Sequence, residues 1–148
     1  MKNGEKGKER PEKKRKEVME LKYIELKSGY NDNGPAWIAW VKSSQSGKTV
    51  YFNDHAFQKA SEGKGWYYDV ETGERYWISG VKKNGLDRHW AGRGYDRIQL
   101  AQDAVEEYLS ITGASEIDSR RLEVVDIPPS YPVERIQTLL NGKKQEET

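Results

Sequence analysis

Trp66-Tyr67-Tyr68-Asp69-Val70-Glu71-Thr72-Gly73-Glu74-Arg75-Tyr76-Trp77-Ile78 decides how the rest of the chain is read. Two aromatic, β-prone runs, Trp66 to Val70 and Arg75 to Ile78, flank Glu71-Thr72-Gly73-Glu74, a connector of hairpin length with a glycine. Side chains alternate across a strand, so Trp66 and Tyr68 share one face and Tyr67 takes the other. Apolar groups on both faces predict a strand covered on both sides, or one face left to bind a ligand.

Working outward, the same pattern repeats. Tyr23 to Leu26, Ala36 to Val41 and Thr49 to Phe52 are short β-prone runs, and Ile98 to Leu100 suits one more strand. Ser43-Ser44-Gln45-Ser46-Gly47 is a second hairpin connector, and Ser28 to Pro35 is rich in turn residues. Trp37 and Ala39 fall on one face of their strand, Ile38 and Trp40 on the other. Five or six short strands at close spacing predict a small antiparallel β meander or SH3-like barrel. Helical spacing follows in Gln102 to Ile111, with Gly113 at the C-terminal stop. A second helix is predicted from Pro132 to Leu140, with the stripe Val133, Ile136, Leu139, Leu140 and a stop at Gly142. Leu122 to Ile127 reads as extended before Pro128-Pro129. The predicted class is therefore α+β, a barrel or meander followed by one or two C-terminal helices.

Charge divides the chain of 148 residues, whose formal net charge is only +1. Met1 to Glu20 has eight basic and five acidic residues, and Asp96 to Thr148 has six basic and eleven acidic. Fourteen of the sixteen aromatics lie between Tyr23 and Tyr95, where the apolar area that drives folding is therefore concentrated. The expected organisation is a disordered basic arm over 1–20 and an aromatic-rich β domain ending in a helix over 21–112. An acidic extension with a short helix follows over 113–141, then a flexible tail over 142–148. The absence of cysteine excludes disulfides and thiolate chemistry. No apolar run reaches the roughly 18 residues that span a bilayer, and no secretory core follows the basic N-terminus. These features predict a cytoplasmic protein without a membrane partner.

Few residues carry chemistry. His55 and His89 have no metal-ligand spacing, so neither a metal nor a cofactor is expected. Gly47-Lys48-Thr49 lacks the upstream glycine of a phosphate loop and is followed by a β-prone run, so it reads as a hairpin turn. The most suggestive stretch is Val81 to Gly94, a long glycine-rich loop that combines cations with a tryptophan. The predicted binding surface is Lys82, Lys83, Arg88, His89, Trp90 and Arg93, joined by Tyr67 and Trp77 of the aromatic hairpin. A non-catalytic module for a protein partner is the leading expectation, because the overall charge is near neutral. The alternatives are a nucleic-acid-binding barrel, with Trp90 stacking among cations, and a small enzyme using His89 with Asp87.

Trp66 to Trp77 resembles the hairpin of WW domains, although the flanking Trp and Pro of that family are missing. Over roughly 22–109 the chain resembles a widespread family of small bacterial proteins of unassigned function. The resemblance is carried by Tyr23 to Ile38, by Tyr67 to Glu74 with Tyr76-Trp77-Ile78-Ser79-Gly80, and by Asp87-Arg88-His89-Trp90-Ala91-Gly92. Some members carry the label 1-deoxy-D-xylulose-5-phosphate synthase. Thiamine-diphosphate enzymes of that kind need several large α/β domains, for which this chain has neither the length nor the alternating pattern. The resemblance therefore implies no activity and no site residues.

Overall fold

The computed structural model describes residues 18–29, 34–87 and 97–147. The elements in chain order are β1 (Val18–Leu26), β2 (Ala36–Ser43), β3 (Thr49–Phe52), β4 (His55–Lys59), β5 (Trp66–Asp69), β6 (Arg75–Gly80) and β7 (Ile98–Ala101). A single 3₁₀ turn (Gln102–Ala104) then leads into α1 (Val105–Thr112), followed by β8 (Leu122–Val125) and α2 (Val133–Glu147). β1 to β6 pair antiparallel in sequence order, and β6 closes back on β1. The result is a six-stranded barrel, the SH3-like α+β architecture that the strand spacing predicts.

β2 is the strand on which the fold turns. One edge pairs with β1 from Glu25↔Ala36 to Val18↔Ser43. The other edge is shared: Trp37 and Ile38 pair parallel with β7, whereas Lys42 and Ser43 pair antiparallel with β3. β2 thereby carries both the barrel and an appended parallel pair, β7 and β8. That pair explains why β2 is apolar on both faces. Trp37 shares the inner face with its partner Ile24 and meets Phe52 at 5.7 Å. Ile38 lies beside Leu100 of β7, and the Trp40 indole donates to the Asp103 carbonyl at 3.3 Å.

Cross-strand partners share a face of the sheet. Inside the barrel this aligns Ile24 with Ile78, and Val50 with Phe57. The Phe57 and Tyr76 rings meet at 4.5 Å, tilted by 55°, within the same buried cluster. On the outer face Tyr51 is paired with Ala56, and both are fully buried with Val70 under Ile136 of α2. All four residues of β3 are therefore buried. α2 is clamped by Arg135, whose guanidinium donates to Glu71 at 2.9 and 3.0 Å and to the Asp54 carbonyl at 2.9 Å.

Three expectations change. β1 begins at Val18, so the last three residues of the expected arm lie in the barrel; residues 1–17 lie outside the described residues. Backbone pairing with β2 recruits Met19 and Glu20 whatever their polarity. β4 is a strand that the β-prone runs do not announce. Asn53 and Asp54 have φ of 51° and 67°, the two-residue turn that matches strand twist, and it pairs Phe52 with His55. α2 does not stop at Gly142 but runs to Glu147. A glycine inside a helix costs only about 1 kcal/mol, and the residues after it are good helix formers. Gly113, by contrast, ends α1 as expected, with φ 76° and its N–H on the Leu109 carbonyl.

Candidate binding site

The barrel interior is apolar in its middle layers and changes character where the strands end. Lys22 is the inward position before Ile24 on β1, opposite Gly80. Lys59 is the inward position after Phe57 on β4, opposite Tyr67. Both stand at the rim, where a lysine stem lies on apolar surface and its ammonium reaches water. Two adjoining depressions of about 320 and 400 Å³ open at this end and share Lys22, Lys59, Tyr67 and Ile78 as walls. The larger is completed by Lys64, Gly65, Trp77, Ser79 and Gly80, the smaller by Glu20, Val50 and the β2–β3 turn with Ser43, Ser44, Gln45 and Ser46.

The aromatic wall is built by close packing. Trp77 is the cross-strand partner of Trp66, and the rings meet edge-on at 5.2 Å and 82°. The six-membered ring of Trp77 lies directly on Gly65: a Cβ there would sit 2.7 Å from Cη2. Gly65 has φ +89°, and its carbonyl accepts the Ile78 N–H at 2.9 Å. The loop before β5 is thus held against β6 by a position that only glycine fits. Trp77 Nε1 donates to Ser79 Oγ at 3.1 Å, and the Arg75 guanidinium covers Trp66 at 4.9 Å.

The electrostatics are unbalanced. Glu20 lies 3.8 Å from Lys22, while neither Lys59 nor Lys64 has an acidic partner among the described residues. Burial, and then the Glu20 charge, push the Tyr67 phenol above its ordinary value, so it stays a proton donor through neutral pH. One end of the barrel thereby offers three ammonium groups and a phenol beside an indole wall. That is a donor set for an anionic group with an apolar neighbour.

Of the residues predicted from sequence, the structure brings Tyr67 and Trp77 together in this site. Lys82 and Lys83 are exposed in the loop after Gly80 but are not among its walls. That loop folds on Asp87, whose Oδ2 accepts the Lys82 N–H at 3.0 Å, and its Gly85 approaches the Tyr108 hydroxyl. Arg88, His89, Trp90 and Arg93 lie outside the described residues. Lys22, Lys59 and Lys64 were missed. The strand period could have placed Lys22 beside Ile24, but only the pairing register shows which barrel end these lysines share.

Asp87 and Asp69, two of the three buried carboxylates among the described residues, belong to the scaffold. Asp87 is 1% exposed, and burial raises its pKa despite the Lys82 amide and the charges of Lys82 and Arg121. Asp69 is 0% exposed; Oδ1 accepts the N–H groups of Glu71 and Thr72, and Oδ2 meets His55 Nδ1 at 2.9 Å. This pins the β5–β6 turn and orients His55. The two acids form no common cluster with His55, and among the described residues no group of three His, Asp or Glu side chains is placed to hold a metal ion. No described helix is long and apolar enough to cross a membrane.

Comparison of the chain with protein-family models, curated proteins and solved structures finds no match.

Proposed function

We propose that the protein is a non-catalytic binding module that takes a segment of a partner protein at the Lys22–Lys59–Tyr67 end of its barrel. The observation that carries this reading is the pair of depressions with shared walls, where Lys59 and Lys64 stand without an acidic partner among the described residues. A protein ligand suits the site better than a nucleic acid for two reasons. Glu20 stands in the smaller depression, where it repels a phosphate chain. Trp77 has one ring face on Gly65 and meets Trp66 edge-on, so the site offers a single indole and not the series of platforms on which successive bases stack.

The test is site-specific photo-crosslinking in cells, with a benzophenone amino acid at Tyr67 and, as control, at the exposed Glu107 of α1. A protease-sensitive product specific to Tyr67 and lost on Lys59→Glu is expected. A nuclease-sensitive product, the same product from Glu107, or none from Tyr67 overturns the reading.

A further inference from the structure

The two depressions differ in chemistry. The larger holds Lys22, Lys59 and Lys64 with Tyr67, Trp77, Ile78 and two glycines, and no acid. The smaller has Lys22 and Lys59 on the shared wall, and otherwise mainly hydroxyl and carboxamide groups with Val50 and one acid, Glu20. The shared wall supplies the Lys22 and Lys59 ammoniums and the Tyr67 phenol, whose hydroxyl makes no hydrogen bond among the described residues. Gly80 and Gly65 put no side chain over the larger depression, leaving Ile78 and Trp77 as its apolar floor. The Trp77 ring is immobilised by Gly65, so this floor exists before any ligand arrives, which lowers the entropy cost of binding.

We infer that this end of the barrel reads a two-residue motif in an extended peptide: a carboxylate side chain held at Lys22, Lys59 and Tyr67, beside an apolar side chain lodged against Trp77 and Ile78. The inference rests on the reading of this end as a protein-binding site and adds what the site recognises. A side-chain carboxylate is favoured over a phosphate ester by charge matching: Glu20, 3.8 Å from Lys22, offsets one of the two ammoniums of the shared wall, and the single positive charge left is neutralised by a singly charged group. The apolar half is set by size: a depression of about 400 Å³ takes one aliphatic or aromatic side chain together with the carboxylate.

The probe is the blocked peptide acetyl-Ser-Gly-Leu-Glu-Gly-Ser-amide, titrated at millimolar concentration into the ¹⁵N-labelled full chain. Comparison peptides have Glu replaced by Gln, Leu replaced by Ser, or Glu replaced by phosphoserine. Saturable shifts at the Gly65, Ser79 and Gly80 amides are expected for the Leu-Glu peptide. Each replacement, and Lys59→Ala in the protein, is expected to weaken binding about five- to tenfold, the size of one lost charge-assisted or apolar contact. Lys59→Ala is a rim change whose fold is verified by the unchanged spectrum elsewhere. Equal binding of the Gln peptide, tighter binding of the phosphoserine peptide, or no effect of Lys59→Ala overturns the motif. No binding of any peptide, with a protein crosslink still formed at Tyr67, removes the motif and leaves the protein-binding reading standing. Loss of both removes both.

Discussion

Gly65→Ala separates a glycine kept for its backbone from one kept for its neighbour. At φ +89° an L-residue costs about 1–2 kcal/mol. The new Cβ would also sit 2.7, 2.8 and 2.9 Å from Cη2, Cζ3 and Cζ2 of Trp77, against ordinary contacts of 3.4–4 Å. The ring must retreat, but Trp66 stands at 5.2 Å on the same strand pair and the Ile78 N–H ties β6 to the Gly65 carbonyl. Overpacking of this kind adds about 1–3 kcal/mol. The control is Gly73→Ala, where φ is a comparable +80° but no atom of the described residues lies within 4 Å, so only backbone strain applies. In urea melts Gly65→Ala is expected to lose about 1–3 kcal/mol more than Gly73→Ala. In a Trp77→Ala background that excess disappears, giving a coupling of the same size. The near-ultraviolet circular dichroism of the Trp pair changes only in Gly65→Ala. Equal costs for the two glycines, or an excess that survives Trp77→Ala, would refute the packing argument.

Two further outcomes follow from the scaffold. Ile136→Ala empties the centre of the small cluster under α2 and is expected to cost about 2–4 kcal/mol. Hydrogen exchange then rises over α2 and Tyr51 before it rises over β1, and uniform exchange across the barrel would contradict separate clusters. Burial raises the Asp87 pKa above 3.8, so the folded state binds the proton more tightly than the unfolded chain. Its contribution is most favourable below the unfolded value and is lost as pH rises through the raised folded value. Asp87→Asn keeps an acceptor for the Lys82 N–H and removes that loss, so its melting temperature relative to wild type is expected to climb between pH 4 and pH 7. A relative melting temperature that falls over that range would show that the charged form is the one stabilised.

Much of this architecture was legible in the chain. Glycine and turn residues set the hairpins at Ser44–Thr49 and Asp69–Glu74, and Gly113 ended α1, because these are local matters of φ and short-range hydrogen bonds. Apolar residues on both faces of β2 announced either burial or a ligand-binding face; in the structure Ala36, Ile38, Ala39 and Val41 are buried and Trp37 and Trp40 partly so. β4 was missed because its apolar content is only Ala56 and Phe57, while its existence depends on the Asn53-Asp54 turn and two neighbouring strands. Tyr67 and Trp77 could be picked out as candidates because large aromatics are conspicuous.

What the sequence by itself determined is a small β-rich domain with its apolar mass in the middle of the chain, since strand period and turn chemistry are written over a few residues. Tertiary structure alone decided which cations share a surface. Lys22, Lys59 and Lys64 are separated by up to 42 positions and meet only because β1 closes on β6, and because the loop before β5 folds onto Trp77. Closure of a barrel is set by the register of all six strands together. Register is a long-range property: shifting β1 or β4 by one residue against its neighbours would turn Lys22 or Lys59 to the other face and dissolve the site.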